Sequence, residues 1–466
     1  PSTTSSAVDQ YRELTVRGMI LGALITVIFT ASNVYLGLKV GLTFASSIPA
    51  AVISMAVLKC FHGSNILENN MVQTQASAAG TLSSIIFVLP GLLMIGYWQG
   101  FPFWQTTLIC VAGGILGVIF TIPLRHVLVV NSDLPYPEGL AAAEILKETD
   151  EDSPQSGVKQ IVTGGILSGI FSFLAGGLRV ISESASYWFK VGGAVFQVPM
   201  GFSLALLGAG WLVGITGGIA VLLGMFFSWG IAVPYFTSTT AMPENVSMMD
   251  FAIKLWVTKV RYIGAGAIAV AAIWTLITLF KPMVEGMKLS FQAFGSDSQT
   301  SKTQERVNQD LSPKTMMLIV VATLIILVAT LACALVACAT IMAFIIGFLV
   351  AAASGYMAGL IGSSSSPISS IGIVSIIIIS LVFMVIGQSS ALALFTASVV
   401  MAISTISNDN LQDLKTGHLV QATPWRQQVA LIIGSIVGAI VISPVLELLY
   451  NAYGFTGALP RAGMDA

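Results

Sequence analysis

Long apolar runs broken by short polar stretches make up most of the chain. About thirteen stand out, near 17–38, 42–60, 70–96, 104–129, 158–181, 199–213, 215–236, 261–281, 314–334, 337–361, 367–387, 389–406 and 427–450. A helix needs about 20 residues to cross a bilayer core, and most of these runs supply them. The runs 199–213 and 389–406 are short, which predicts broken or re-entrant helices. Met316 to Ile361 holds no turn signal and is too long for one span, so a break is expected near Ala334. The predicted fold class is an all-α polytopic membrane protein with two related halves. These are 1–285 and 314–466, joined by a polar linker at 286–313, and the second half reads as incomplete.

Four polar stretches interrupt this pattern. In "LENNMVQTQASAAGTLSSIIFVLPG" a helix places Asn70, Gln73, Thr74, Ser77 and Ser84 on one face, and Glu68 and Gln75 on another. An unpaired buried amide costs about 2–7 kcal/mol, so protein or water must cover both faces. Hydrogen-bonding glue between helices is the ordinary explanation for one amide. So many together suggest the lining of a hydrated cavity. In "SNDNLQDLKTGHLVQATPWRQQ", Asp409, Gln412, Asp413 and Thr416 share a helical face beside Asn410, and Gly417 is expected to end the helix. In "LPYPEG", Pro137 suits a first helical turn and Glu138 its positive end, at the mouth of the fourth run beside Tyr136. Capping alone accounts for much of that stretch.

The fourth stretch, "SGYMAGLIGSSSSPISS", carries glycine and proline breaks that free backbone groups for ligands at membrane depth. It has a counterpart in "SNVYLGLKVGLTFASSIP", where Tyr35 parallels Tyr356 and Ser47-Ile48-Pro49 parallels Ser365-Ser366-Pro367. An internal repeat is expected, which adds Asn33, Tyr35, Ser365 and Ser366 to the candidates for substrate contact.

Composition agrees with the pattern. Charged residues make up 9% of the chain, against about 25% in soluble domains. A net charge of −1 gives no reason to expect a nucleic-acid partner. The four cysteines lie in apolar runs and the three histidines are scattered, so neither a metal site nor a cofactor is expected. There is no GxxxxGK[ST], HExxH or GxGD motif, so nothing supports an enzyme or an ATP-driven motor. With the N-terminus in the cytoplasm, thirteen of the 20 Lys and Arg residues fall on the cytoplasmic side. The expected location is a cell (inner) membrane. GxxxG pairs at Gly113/Gly117, Gly165/Gly169 and Gly434/Gly438 predict close helix packing and would permit a homodimer.

The stretches "SNVYLGLKVGLTFASSIPAAVIS", "ENNMVQTQASAAGTLSSIIF", "LPYPEGLAAAEILK", "GLIGSSSSPISS" and "NDNLQDLKTGHLVQATPWRQQ" resemble the oligopeptide transporter (OPT) family, from about Tyr11 to Gly454. They are most similar to its prokaryotic members, which are related to the plant yellow stripe-like branch. The resemblance implies about sixteen spans, two related halves and proton-coupled uptake of small peptides, peptide-like compounds or metal–chelate complexes. It assigns Glu68, Asn70 and Gln73 to the first-half polar motif and Tyr136 and Glu138 to the Pro-Tyr-Pro-Glu-Gly motif. Asp409, Asn410, Gln412, Asp413 and Lys415 fall in the second-half motif. The family's Asn-Asn-Pro is replaced here by Ser365-Ser366-Pro367. Taken together, substrate contact is expected from Asn33, Tyr35, Asn70, Gln73, Tyr136, Ser365, Ser366, Asn410 and Gln412. Proton coupling is expected from Glu68 and Glu138 first, then Asp409 and Asp413, with Glu68→Gln abolishing accumulation.

Overall fold

Helix ends follow local capping chemistry. The computed structural model describes residues 12–147, 154–281 and 306–455, apart from Leu42, Arg179, Glu183, Ser203, 244–245, scattered positions between 265 and 280, 332–335, Ser365 and Pro367. Helix α1 (Val16–Val40) begins at Thr15, whose hydroxyl accepts from Gly18 N–H, and ends at Gly41 in the left-handed region (φ 80°). Helix α2 (Ser47–Leu58) follows. Helix α3 (Ile66–Leu82) is capped by the Asn65 side chain, which accepts from Glu68 N–H at 2.9 Å. Helix α4 (Phe103–Arg125) carries Pro123 and continues through a widened turn, His126–Val130. Helix α5 (Pro137–Lys147) opens on proline, whose missing N–H no first-turn position needs.

Later in the chain come α6 (Pro154–Ser172), strands β1 (Ser184–Val191) and β2 (Ala194–Gly201), and helices α7 (Leu204–Met225), α8 (Val233–Thr239) and α9 (Met248–Leu255). The remaining helices are α10 (Pro313–Leu331), α11 (Val336–Ile361), α12 (Ile368–Val385), α13 (Ser390–Leu419) and α14 (Pro424–Tyr453). Among the described residues, eight helical stretches are long and apolar enough to cross a membrane. The protein is an all-α polytopic membrane protein.

Two compact units separate. In the unit formed by residues 1–158 and 272–466, α3 and α13 lie at the centre. Helix α3 packs against α1, α2, α13 and α14, and α13 against α4, α11 and α12. Small residues set the closest approaches. A Cβ on Gly113 or Gly117 of α4 would meet Ala402 or Ile406 of α13, and one on Gly434 of α14 would strike the Gln75 carbonyl. Two of the three GxxxG pairs thus sit at helix crossings, whereas a Cβ on Gly165 or Gly169 would meet nothing within 4 Å among the described residues.

The unit at 159–271 holds a feature absent from the sequence-based expectations, an antiparallel hairpin of β1 and β2. Its two-residue turn is Gly192-Gly193, with Gly192 at φ 61°. Phe189 and Phe196 pair across it with ring centroids 5.2 Å apart. The expected run 199–213 therefore divides between β2, which ends at Gly201, and α7, which begins at Leu204. Helix α7 then continues through a widened turn to α8, with no break near 214.

Helix α13 also departs from expectation. The apolar run 389–406 and the polar stretch after it form one helix of 30 residues, about 45 Å long at 1.5 Å per residue. Gly417 does not end it. Its missing side chain instead lets Gln427 of α14 pack against the helix.

Candidate functional site

Each polar face of α3 meets a different helix. Glu68 faces α1, where the Arg17 guanidinium grips both carboxylate oxygens at 2.7 Å and the Thr15 hydroxyl donates to Oε1. Asn69 accepts from Ser54 of α2 at 2.6 Å. Thr74 accepts from Gln427 Nε2 of α14 at 3.2 Å. Gln73 and Ser77, one turn apart, face α13: Gln73 Nε2 donates to Asp413 Oδ1 at 2.5 Å, and Ser77 donates to Asp409 Oδ2. All of these α3 side chains are buried.

Asp409 and Asp413 stand at i and i+4 on α13 and so share a face. Glu138, at the start of α5, lies close enough to both for their charges to interact. Its Oε1 accepts from Ser364 N–H at 2.8 Å, in the turn after α11. That turn is held in place by Gly362 in the left-handed region (φ 95°) and by Asn408 Nδ2, which donates to Ser363 O at 3.3 Å. Gln412 fastens α5 and α11 to α13, accepting from Gly139 N–H at 2.8 Å and donating to Ala358 O at 2.6 Å. A Cβ on Gly139 would lie 2.6 Å from the Gln412 carbonyl, so only glycine brings Glu138 this close.

Several buried polar atoms in this region have no hydrogen-bond partner. They are Asp409 Oδ1, Asp413 Oδ2, Glu138 Oε2, Gln73 Oε1 and both side-chain atoms of Asn70 and Gln75. Native proteins leave few such atoms, and a cluster of them needs an explanation. No ion pair among the described residues reaches Glu138, Asp409 or Asp413.

The other expected residues fall elsewhere or serve the fold. Asn33 ties off the turn after α1, donating to Phe29 O and accepting from Phe44 N–H at 2.7 Å. Tyr35 accepts from Lys39 near the same end. Tyr136 is fully buried, its hydroxyl donating to Leu128 O at 2.9 Å and its N–H to Gly359 O at 2.9 Å. Asn410 points toward α4, where its amide donates to Thr121. Ser366 lies in the turn after α11 with its hydroxyl unpartnered, and Ser365 lies outside the described residues. Asn408 and Gln427 are additions. Asn408 lies off the expected acidic face, and Gln427 begins a helix that sequence periodicity did not link to α3. Among the described residues no group of His, Cys, Asp and Glu is arranged to hold a metal ion.

The family model described as "OPT oligopeptide transporter protein" matches residues 13–465. A Haemophilus influenzae protein named "Putative oligopeptide transporter" is 62% identical over 457 residues, covering 92% of this chain and 72% of that protein. More distant is rice "Probable metal-nicotianamine transporter YSL16", 24% identical over 96% of this chain and 73% of its own length. Arabidopsis thaliana "Metal-nicotianamine transporter YSL3" is 24% identical over 95% and 72%.

Proposed function

The chain belongs to the OPT oligopeptide transporter family, and on that premise we propose that it couples proton flow to the uptake of small peptides or peptide-like compounds. One observation carries the coupling: Asp409 and Asp413 are buried one turn apart on α13 with the half-buried Glu138 near enough to interact with both, and no ion pair among the described residues reaches them. Unpaired buried charges cost several kcal/mol each. A proton on one carboxylate removes much of that cost, so the cluster is suited to load and release protons. It stands between the two expected halves. Gln73, Ser77 and Glu138 come from 1–285, and Asp409 and Asp413 from 314–466. Rocking one half against the other would break the Gln73–Asp413 and Ser77–Asp409 bonds and open the cluster to one side.

This reading moves coupling away from Glu68, which Arg17 already neutralises. In proteoliposomes with an inward proton gradient, labelled small peptides are expected to accumulate, and a protonophore to abolish the accumulation. Asp413→Asn is expected to lose it, whereas Glu68→Gln lowers the amount of folded protein but keeps gradient dependence. Flux that ignores the protonophore and never exceeds equilibrium would make the protein a channel. Metal–chelate uptake is the second reading, favoured by the metal-nicotianamine transporters among its relatives. An iron–chelate arm of the same assay tests it. The Lys and Arg distribution supports a cytoplasmic N-terminus.

A further inference from the structure

We propose that the Asp409–Asp413–Glu138 cluster receives a protonated amine, the free α-ammonium of a peptide substrate. The proposal rests on the transport reading above and narrows its substrate class. It follows from an imbalance between donors and acceptors. Most donors around the cluster are already engaged: Gln73 Nε2 with Asp413, Ser77 with Asp409, Gln412 Nε2 with Ala358 O, Gln427 Nε2 with Thr74 and Asp413 O, and Asn408 Nδ2 with Ser363 O. What remains is mostly acceptors, Asp409 Oδ1, Asp413 Oδ2, Glu138 Oε2 and Gln73 Oε1, against the Asn70 amide and the Ser366 hydroxyl.

An amide turned end for end exchanges oxygen for nitrogen, but a carboxylate has no such choice. Three of those four acceptors are carboxylate oxygens. Gln73, Asp409 and Asp413 are at most 2% exposed, so bulk water does not reach them. The basic side chains nearby are held elsewhere. Arg17 grips Glu68, while Lys415 lies over the Tyr136 ring and donates to Val129 O at 3.3 Å.

A ligand that satisfies this site must bring N–H donors and positive charge. An ammonium carries three donors and no acceptor. A carboxylate or phosphate would set lone pairs against lone pairs. A metal chelate whose amines are bound to the metal has no ammonium to offer. With three carboxylates, one can hold a proton while the others hold the amine, which lets both load together.

The test compares trialanine with N-acetyl-trialanine, which have the same backbone and C-terminus but differ in the ammonium. Binding to the intact purified protein is measured by calorimetry, and uptake in proteoliposomes under a fixed proton gradient. Charge-assisted hydrogen bonds are the strong ones, so acetylation is expected to weaken binding about tenfold or more. Asp413→Asn is expected to shrink that ratio; if the variant does not fold, the two peptides on the unaltered protein decide alone. Equal binding of both overturns the ammonium site and leaves peptide transport standing. Preferential binding of trialanine without gradient-driven uptake supports the site and sinks the coupled-transport reading. Binding of neither peptide, with accumulation of an iron–chelate, overturns both.

Discussion

Tyr136 has the most constrained backbone near the acidic cluster. It is flanked by Pro135 and Pro137 and adopts φ 42°, a region that non-glycine residues seldom occupy. Its hydroxyl and N–H both bond to buried carbonyls, and its ring packs against Gly359. Tyr136→Phe leaves the Leu128 carbonyl without its donor and is expected to cost about 1–3 kcal/mol, read as a lower melting temperature in detergent. Burial pushes the Tyr136 phenol above the ordinary tyrosine range. The folded state therefore keeps a proton that the unfolded chain gives up near pH 10. This contribution to stability is constant below about pH 10 and falls as pH rises further. Tyr136→Phe should flatten that alkaline decline in a melting-temperature series against pH.

Among the elements, α3 was legible as a polar helix and α13 only in part. The amides of α3 announced that something other than lipid must cover them. Which helix covers which face depends on contacts between residues more than 300 apart, such as Gln73 with Asp413, and local periodicity holds no trace of those. Asn408 escaped notice for the same reason, since its partner is a backbone carbonyl in a distant turn. The hairpin did leave a local sign, Gly192-Gly193 between β-branched and aromatic residues, but the apolar runs on either side hid it. The glycine pairs give a contrast that can be measured. Gly113→Leu forces α4 from α13 and is expected to destabilise the protein by about 1–3 kcal/mol. Gly165→Leu meets no neighbour within 4 Å and is expected to leave the melting temperature unchanged.

Across the larger unit, residues far apart in sequence are clasped together at the polar end of α14. Glu13 accepts from Thr423 N–H at 3.0 Å and pairs with Arg306. Asp310 receives the Arg125 guanidinium at 2.7 Å through both oxygens and Gln428 Nε2 at 2.6 Å. Arg125 is 1% exposed, so removing it leaves a mostly buried carboxylate with only Gln428 and His126 beside it. Arg125→Met is expected to destabilise by about 3–5 kcal/mol, and Arg125→Met with Asp310→Leu to recover much of that loss. Thermal melting of the single and double variants measures the difference.

The β1–β2 hairpin says where water must be. Apart from Val195 N–H, which donates to Thr237 Oγ1, the outer N–H and C=O rows of the two strands have no ladder partner, and hydrocarbon cannot satisfy them. Residues 184–201, with Lys190 exposed among them, therefore mark one aqueous face of the bilayer on the chain itself. A short epitope inserted between Gly192 and Gly193 should be labelled from one side of the membrane only. In intact spheroplasts an antibody against it would report whether that side is the periplasm, the side expected from the sequence-based spans with a cytoplasmic N-terminus. The hairpin thus supplies a compass for the orientation of the whole protein.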